Sequence, residues 1–394
     1  SLRMESKDNS EFEESYSTIE DDDSAHIFGV LRSQIYKDKM LAVIREYCTN
    51  AIDEHYAAGK ADVPVKLTMP TTLNNPNYVV RDYGRGLSPE QVMQVYNRYG
   101  KSTKRGQAGY NGQLGLGSKS AYSYTDSWLI TSFYGGKKTI YNSLLDDSGK
   151  GKIVKLFESD SPEPSGVEIT IPVNISDIYR WEDTAIRFLQ YVSAKVNLVG
   201  TSRTIPALPK VMQQHNNVKI VDSELSTGSK LVMGNVAYPI DWPFLRTTNQ
   251  FKQAKSSLNH ILNLIGERIQ IDAPNGSVLF VASREALDYR PTTIDYIASV
   301  VFPALETFVK EQKDIIDALP TAFEKMMYCL KNRNNVFVEG ESNYIQRSGR
   351  DGNVNYDGKT YKGVVNIPLK EEWKITKIFQ NLYYSHGYYD RRNS

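Results

Sequence analysis

The sequence predicts an α+β protein that folds as two domains. Its 394 residues exceed the roughly 150 residues of an average domain. A helical pattern over residues 33–58 precedes a run of strand patterns, and a long helical pattern over residues 292–330 closes a second mixed segment. Hydrophobic residues make up 40% of the chain and charged residues 24%, which is enough apolar material for each domain to bury a core.

Composition and pattern separate four segments. Residues 1–24 are acidic and serine-rich, which predicts a disordered or arm-like N-terminus; the alternative is an arm that docks on a partner subunit. Residues 25–174 form the first predicted domain and residues 175–330 the second, which is again α+β. Residues 331–394 are rich in Asn, Gly, Tyr and Arg and are predicted to form a C-terminal extension.

Hydrophobic periodicity assigns elements to these domains. Helices are predicted over residues 33–58, 89–99, 181–198 and 292–330, and another is predicted to begin near Ser118. Strands are predicted over residues 65–69, 77–82, 127–133, 139–144, 153–157, 167–173, 230–237, 276–281 and 363–367. In the first helix, Leu41, Ile44, Cys48 and Ile52 recur at helical spacing and form one apolar face.

Charge and cysteine content exclude several classes of function. The net charge of +1 gives no nucleic-acid signature, and no apolar run approaches the roughly 18 residues of a membrane span. The two cysteines, Cys48 and Cys329, are too few for a disulfide framework or a cysteine-based zinc site. We therefore expect a protein of the reducing cytoplasm without a clear nucleic-acid or membrane partner.

The first helix carries polar residues on the side opposite its apolar face. Glu46, Asn50 and Asp53 fall within a sector of about 60° on an ideal helix. This side of the helix therefore offers a carboxylate, an amide and a second carboxylate in a row. Such residues are also common on an ordinary solvated helix face, so the row is weak evidence when taken alone.

The second polar segment is the turn after the strand over residues 77–82. Asp82 is followed by Gly84 and Gly86, which let the backbone turn sharply beside a ligand. A carboxylate at a strand end can accept a hydrogen bond from an exocyclic amine such as that of adenine. An Asp-Gly turn between a strand and a helix has the same composition without any ligand, and taken alone that plainer interpretation is favoured.

The third segment is a glycine-rich stretch before the helix that begins near Ser118. Closely spaced glycines at a helix N-terminus offer backbone N–H groups to anionic oxygens. The spacing Gly112-x-x-Gly115-x-Gly117 differs from a Rossmann fingerprint, and Lys119 does not directly follow a glycine as a Walker lysine does. In isolation this stretch indicates a phosphate site only moderately.

The order and spacing of the three segments together resemble the GHKL superfamily, which includes gyrase-type topoisomerases, the ninety-kilodalton heat-shock chaperones, MutL and the histidine kinases. The asparagine box is similar to Glu46-x-x-x-Asn50-x-x-Asp53, the first glycine box to Asp82-x-Gly84-x-Gly86 and the second to Gly112-x-x-Gly115-x-Gly117. The resemblance covers about residues 35–173. It implies a Bergerat-type two-layer α/β sandwich for residues 25–174, followed by a transducer-like second domain.

Within the superfamily the chain looks most like the phage rapid-lysis rIIA-type proteins. The stretches that carry this narrower resemblance are residues 42–46, 115–120, 123–126 and 283–287. It implies a phage origin, and therefore the host cytoplasm as the location. One position departs from the superfamily pattern, because Val167 follows Gly166 where a threonine usually helps to hold adenine through water; Ser165 is the nearest hydroxyl that could help.

The resemblance implies Mg²⁺-dependent binding and slow hydrolysis of ATP. Glu46 would orient and deprotonate the attacking water, and Asn50 would hold the Mg²⁺ that bridges the phosphates. Asp53 would reach the adenosine side or a magnesium-bound water, and Arg45 is a second-choice site residue. Asp82 would accept from the adenine amine, with Gly84 and Gly86 admitting the base.

The phosphate end of the implied site is formed by the second glycine box. Gly112, Gly115, Gly117 and Ser118 would cradle the phosphates with Lys119 as a charge partner, and residues 100–117 would form a lid. A basic residue of the second domain reaches the γ-phosphate in related ATPases, and Lys252, Lys255 and Arg284 are the candidates. The resemblance also implies an ATP-dependent homodimer; it identifies no other protein partner.

Three alternatives remain open at the level of the sequence. The same motifs serve a nucleotide-gated binding module with little or no turnover, although Glu46 favours hydrolysis. A histidine kinase is poorly supported, because the five histidines include no clear phosphoacceptor helix ahead of the ATP domain. A structural or DNA-associated phage protein could retain a relic nucleotide site, which the near-neutral charge does not support.

Overall fold

The computed structural model describes residues 36–73, 76–96, 117–222, 227–321, 324 and 328, together with the backbone of short strands at 14–16, 346–347, 354–356 and 359–361. Helices and mixed sheets alternate along these ranges, so the predicted α+β fold class is confirmed. Most of the predicted lid at residues 100–117 lies outside the described residues, as do residues 1–24 apart from the strand at 14–16.

The elements are numbered here in chain order. The strands are β1 (Glu14–Tyr16), β2 (Val65–Thr68), β3 (Asn77–Arg81), β4 (Ser127–Tyr134), β5 (Lys137–Leu145), β6 (Gly151–Asp160), β7 (Gly166–Pro172), β8 (Val196–Val199), β9 (Val211–His215), β10 (Val218–Val221), β11 (Lys230–Met233), β12 (Val236–Pro239), β13 (Ile269–Asp272), β14 (Leu279–Phe280), β15 (Leu287–Asp288), β16 (Gln346–Arg347), β17 (Val354–Tyr356) and β18 (Lys359–Tyr361). The α-helices are α1 (Lys39–Ala57), α2 (Pro89–Tyr96), α3 (Ile178–Leu189), α4 (Trp242–Leu245), α5 (Asn249–Lys252), α6 (Ser256–Ile265) and α7 (Pro291–Ala318), and 3-10 helices lie at Gly117–Ser123, Ile175–Asp177 and Gly266–Arg268.

The chain divides into two compact units that are not continuous in sequence. The first unit consists of Ser1–Leu208, Leu231–Pro239 and Ala273–Arg290. The second consists of Pro209–Lys230, Ile240–Asp272 and Pro291–Ser394. The first unit therefore continues beyond residue 174 and takes in a segment near residue 284 that the sequence assigned to the second domain.

The first unit is built on one eight-stranded sheet with the strand order β1-β6-β5-β4-β7-β3-β2-β8. Its neighbouring strands run antiparallel except β2 and β8, which are parallel. Leu67, Val80, Ile169, Ile130 and Tyr141 lie opposite one another across five adjacent strands. Because opposed residues share a face of the sheet, these side chains form a continuous apolar row, and each is at most 4% exposed.

Helices cover the apolar face of this sheet. A single hydrophobic cluster joins the strand residues to α1, to the 3-10 helix Gly117–Ser123 and to α3. Ile44, Cys48 and Ile52 of α1 are each at most 1% exposed, as the predicted apolar face requires. The Trp128 ring of β4 lies 5.5 Å from the Tyr47 ring, 5.9 Å from Tyr96 and 5.8 Å from Tyr122, so an aromatic cluster fills the space between helices and sheet.

The first helix begins later than its periodicity predicts. Asp38 is the N-cap residue, and its Oδ1 accepts a hydrogen bond from the Leu41 N–H at 3.0 Å. This cap satisfies one of the backbone donors that the first turn leaves without a helical partner. The helix therefore starts at Lys39, whereas residues 33–35 of the predicted helix lie outside the described residues.

Two further helix predictions need correction. The predicted helix over residues 181–198 ends at Leu189, and Val196–Val199 instead forms β8 beside β2. Strand pairing there gives partners to the backbone groups at the edge of β2, which a longer helix would leave without them. The helix predicted near Ser118 is a 3-10 helix over Gly117–Ser123.

Two strand predictions were also too simple. The strand predicted over residues 230–237 is two strands, β11 and β12, because Gly234 and Asn235 turn the chain with φ of 57° and 64°. Two residues in the left-handed region are the requirement of a tight hairpin turn. The strand predicted over residues 276–281 is the short β14, which pairs antiparallel with β15.

The second unit contains a smaller antiparallel arrangement and a long helix. Strand β10 pairs with β9 on one side and with β13 on the other. Helix α7 buries one side, including Ile297, Val301, Leu305 and Phe308. It ends at Ala318, short of the predicted residue 330, although Glu324 and Tyr328 are again helical. The predicted strand over residues 363–367 lies outside the described residues.

Helix α7 is the one described helix that is long and apolar enough to cross a membrane by length and composition. Its apolar window is 44% buried within the protein. The core helix of a soluble protein meets the same criteria, so α7 is weak evidence for a membrane span.

Candidate functional site

The turn after β3 holds the Asp82 carboxylate in a buried position. Asp82 Oδ1 accepts hydrogen bonds from the Gly84 N–H at 2.9 Å and from the Val167 N–H at 3.1 Å. The Asp82 N–H donates in turn to the Val167 carbonyl at 2.9 Å. Burial raises the pKa of Asp82 to about 6, although the two N–H donors act in the opposite direction. The carboxylate is thus fixed in orientation, and both of these protein donors reach the same oxygen.

Arg81 ties this turn to the segment before β7. Its guanidinium donates to the carbonyl oxygens of Asp82 and Pro164. It also lies over the Phe133 ring at 4.0 Å and the Tyr83 ring at 4.5 Å from the ring centroids. Arg81 is only 5% exposed, and these contacts hold the turn in place.

The two glycines of the turn are required by close neighbours. A Cβ on Gly84 would lie 2.4 Å from the Glu54 Cγ of α1. Gly86 has φ of +74°, and a Cβ there would lie 2.2 Å from the Phe133 carbonyl oxygen. The sequence interpretation gave both glycines to the approach of a base; the structure shows in addition that protein groups occupy the space beside them.

Val167, the residue at the position that departs from the superfamily pattern, holds Asp82 through its backbone. The N–H and the carbonyl of Val167 both bond to Asp82, while its side chain belongs to the hydrophobic cluster and is 6% exposed. The Ser165 hydroxyl donates to the Gly84 carbonyl at 2.7 Å. Ser165 therefore helps to hold the glycine turn.

Helix α1 also fixes the turn, through residues that the sequence interpretation did not assign. The Tyr83 N–H donates to His55 Nε2 at 2.8 Å, and the Lys60 ammonium donates to the Tyr83 carbonyl at 2.8 Å. Glu54 accepts from the Arg85 guanidinium at 2.9 Å. Burial lowers the pKa of His55, and the charge of Lys60 lowers it further, which favours a neutral imidazole.

The polar side of α1 is not a solvated face. Glu46 is 1% exposed, and its carboxylate lies 3.5 Å from the Arg45 guanidinium and 3.9 Å from the Arg284 guanidinium. Arg45 and Arg284 are each 2% exposed. A carboxylate at such depth needs positive neighbours, because burial removes its hydration. The plainer interpretation of this row as an ordinary solvated face is therefore wrong at Glu46.

Arg284 reaches Glu46 from a loop between β14 and β15, within the first unit. Its backbone has φ of +58°, a conformation that residues other than glycine seldom adopt. Two more contacts join this loop to α1: Arg45 donates to the Ser283 carbonyl, and the Glu285 carboxylate accepts from the Lys37 N–H at 2.8 Å. Burial alone would lower the pKa of Arg284, but the charges of Glu46, Tyr238 and Asp53 raise it above its ordinary value.

The 3-10 helix after the second glycine box is attached to the middle of α1. The Tyr47 hydroxyl donates to the Ser118 carbonyl at 2.8 Å and accepts from the Ala121 N–H at 3.1 Å. Gly117 and Ser118 are thereby held beside the helix turn that carries Glu46. Tyr47 and His55 are separated by about 12 Å along α1, so one helix fixes both ends of the candidate site.

Lys119 is fully buried and contacts protein groups. Its ammonium donates to the Val95 carbonyl at 3.1 Å and to the Ser118 hydroxyl at 3.2 Å. Ser118 donates to the same carbonyl at 2.9 Å. Burial lowers the pKa of Lys119 to about 7. These contacts join the end of α2 to the 3-10 helix, a role that the phosphate assignment of Lys119 did not anticipate.

The remaining predicted site residues lie on α1, in the second unit or outside the described residues. Asn50 and Asp53 are half-buried on α1. Gly112 and Gly115 lie outside the described residues. Lys252 and Lys255 belong to the second unit, where Lys255 pairs with Glu306 at 3.7 Å.

The described residues contain no cluster of three or more His, Cys, Asp or Glu residues able to hold a metal ion. A Mg²⁺ that is bound mainly by substrate phosphates and water needs only one or two protein ligands, so the amide of Asn50 is compatible with such an ion.

The fold and the site define an α+β protein with a buried polar centre on one helix. No protein-family model matches the chain. No curated protein matches it either.

The sequence interpretation missed His55, Lys60, Tyr47 and the return of Arg284 to α1. Each contacts a backbone group or a charge that is distant in sequence, and only the fold brings the two together. The Asn-box spacing could point to Glu46 because helical periodicity is local, whereas the partner of Glu46 lies 238 residues further on.

We expect the buried pair of Glu46 and Arg284 to be coupled energetically. Arg284→Met should lower the free energy of unfolding by about 3 kcal/mol, the lower end of the cost of breaking a buried ion pair, because Arg45 stays beside Glu46. Arg290→Met is the matched control, since Arg290 is 71% exposed in its pair with Asp288 and its loss should cost about 1 kcal/mol or less. Urea denaturation measures both.

A double variant tests the origin of this loss. In the Glu46→Gln background, Arg284→Met should cost less stability than it does in the wild-type protein, because Arg284 then has no Glu46 carboxylate to pair with. Equal losses for Arg284→Met and Arg290→Met would contradict the coupling.

Proposed function

We propose that the first unit binds ATP with Mg²⁺ in a GHKL-type site and hydrolyses it slowly, as an ATPase that drives a conformational or dimerisation cycle. The single observation that carries this proposal is the environment of Asp82. A buried carboxylate at a strand end, with one oxygen fixed by two protein N–H groups, is suited to accept from an exocyclic amine with its other oxygen. Such an acceptor selects adenine over bases that present a carbonyl at that position.

Glu46 is the general base in this proposal. Its carboxylate lies on the same helix as Asn50 and one turn before it, so it can act on a water molecule without holding the metal. Arg45 and Arg284 stabilise the negative charge of the carboxylate within the buried site. As the γ-phosphoryl group leaves, the carboxylate takes a proton from the attacking water.

The Asn50 amide oxygen is the protein ligand that we assign to Mg²⁺, which would neutralise the charge of the phosphates. Gly117 and Ser118, with Gly112 and Gly115 of the same box, are assigned to the phosphates. Arg284 is our choice for the basic residue that reaches the γ-phosphate, because it belongs to the same unit as Glu46 and lies beside it. Asp53 is assigned to the adenosine side or to a magnesium-bound water.

A narrower proposal is that the protein is related to one group within the superfamily. We place the protein with the phage rIIA-type members of the superfamily on the stretches quoted above, in the cytoplasm of the host. The return of residues 283–287 to α1 supports the view that this stretch belongs to the nucleotide unit, since it contacts both ends of the segment Lys37–Glu46.

A nucleotide-gated binding module is the second candidate. It is favoured by one observation: two arginines enclose the Glu46 carboxylate at 3.5 and 3.9 Å, so nucleotide binding would have to separate these groups before the carboxylate could contact the attacking water. Measured turnover decides between the two.

Asp82→Asn tests nucleotide recognition. The asparagine oxygen can still accept from Gly84 and Val167, so the fold should be retained, while its NH₂ group now faces the adenine amine. ATP affinity should fall by more than about 1–3 kcal/mol, the cost of an unsatisfied buried polar group. Wild-type affinity should also fall as the pH drops through about 6, where the carboxyl group is protonated and loses its acceptor. Calorimetry that shows unchanged affinity in the variant would rule out this assignment.

Glu46→Gln and Asn50→Ala separate chemistry from binding. Glu46→Gln keeps an oxygen for the two arginines but cannot take a proton, so hydrolysis should fall by about 10²–10⁴ with nucleotide binding nearly intact. Asn50→Ala should weaken binding in Mg²⁺ but not in EDTA. Phosphate release assays with and without Mg²⁺ measure turnover. Parental turnover in Glu46→Gln would assign the base elsewhere, and an inactive parent would favour the binding module.

Assembly is the last element of the proposal. We expect ATP or a non-hydrolysable analogue to promote a homodimer through the N-terminal region. The reason is the resemblance to GHKL ATPases that dimerise when they bind ATP. Light scattering with and without the analogue measures the mass, and Asp82→Asn serves as the control that should stay monomeric. A monomer at every concentration in both states counts against the cycle.

A further inference from the structure

The peptide groups on both sides of Tyr83 are held from one direction by the end of α1. The Tyr83 N–H donates to His55 Nε2, and the Lys60 ammonium donates to the Tyr83 carbonyl, both at 2.8 Å. His55 is the third-last residue of α1, and Lys60 follows the helix by three residues. Two side chains from one short segment therefore fix the two peptide units that flank Tyr83.

The hydrogen bonds of His55 define its tautomer. His55 Nδ1 lies 2.8 Å from the Val63 carbonyl, which can only accept. The proton must therefore be on Nδ1, which leaves Nε2 as the acceptor that the Tyr83 N–H requires. His55 is 2% exposed, so water does not replace either partner readily.

Tyr83 stands between the two residues that define the base-binding turn. Asp82 precedes it with a carboxylate fixed by Gly84 and Val167, and Gly84 follows it with a carbonyl fixed by Ser165. The β7 side thus holds Asp82 and Gly84, whereas the α1 side holds the peptide groups of Tyr83 and, through Glu54, Arg85. We expect a change in the Tyr83 peptide to shift the Gly84 N–H and, through its hydrogen bond to Oδ1, the Asp82 carboxylate.

We propose that His55 and Lys60 are positioning residues that set the preference of this site for adenine, by fixing the Tyr83 peptide and through it the orientation of the Asp82 carboxylate. The proposal rests on the proposed binding of ATP. Neither residue touches the nucleotide; both act on the geometry of the acceptor. The energy of a hydrogen bond to Asp82 depends steeply on angle, so a misaligned carboxylate loses preference for an amine before it loses binding of the phosphates.

Two substitutions at His55 separate this role from simple packing. Glutamine can place its amide oxygen near the position of Nε2 and accept from Tyr83, with its NH₂ group directed to Val63. Asparagine is shorter and can satisfy Val63 but cannot reach Tyr83. Both are neutral and polar, so they differ mainly in the hydrogen bond that the proposal invokes.

The experiment measures the affinities of ATP and inosine triphosphate for the full chain by calorimetry. Inosine carries a carbonyl where adenine has its amine, so its affinity reports the phosphate contacts without the hydrogen bond to Asp82. His55→Asn should weaken ATP binding about tenfold and change inosine triphosphate binding little, so that the ratio of the two affinities falls about tenfold. His55→Gln should restore most of the ratio. Lys60→Met should lower the ratio in the same direction and provides a second variant outside the helix.

The outcomes distinguish the two levels of the argument. A wild-type protein that binds no ATP overturns the proposed function and this inference with it. A wild-type protein that prefers ATP, with the same preference in His55→Asn and Lys60→Met, overturns only the positioning role. Equal loss of ATP and inosine triphosphate binding in both variants assigns the two residues to folding alone and overturns it as well.

Discussion

The burial of α1 against the sheet is the interaction on which the candidate site depends. The helix buries every residue from Ala42 to Thr49, including the charged pair Arg45 and Glu46. Buried charges are tolerated only when opposite charges and hydrogen-bond partners come with them. Arg284 is the opposite charge for Glu46, and the Ser283 carbonyl accepts from Arg45. The buried charges of α1 therefore also hold the loop between β14 and β15 against the helix. The strained φ of Arg284 shows that this contact outweighs a local conformational cost.

Local periodicity was sufficient to predict α1 and most of the sheet. Ile44, Cys48 and Ile52 are buried because helical spacing directs them to one side, and Asp82 is at a strand end because alternation stops there. Contacts between distant segments could not be predicted in this way. Lys119 was predicted as a charge partner of the phosphates, and the contact of its ammonium with the Val95 carbonyl was not predicted. The end of α3 was missed because the open edge of β2, which β8 occupies, is a property of the assembled sheet.

The two ends of the candidate site differ in how firmly the described residues hold them. At the base end, Arg81, Ser165, Val167 and His55 each bond to the turn over residues 82–84. A recognition group that is already in place costs little entropy when a ligand binds, which favours selectivity for the base. At the phosphate end, Tyr47 fixes Gly117 and Ser118, while the glycines before them belong to the predicted lid.

In the proposed site, Val167 stands where the GHKL resemblance implies a threonine. By the resemblance a threonine hydroxyl would add a water-mediated contact to the base, but the orientation of Asp82 comes from the backbone N–H groups of Gly84 and residue 167, and any residue except proline supplies the latter. The valine side chain instead joins the hydrophobic cluster beneath the sheet. If the first unit binds ATP as proposed, recognition of the base would depend more heavily on the Asp82 carboxylate and on the groups that hold its turn from the opposite side. The contacts of His55 and Lys60 with Tyr83 are the ones that supply that support from α1.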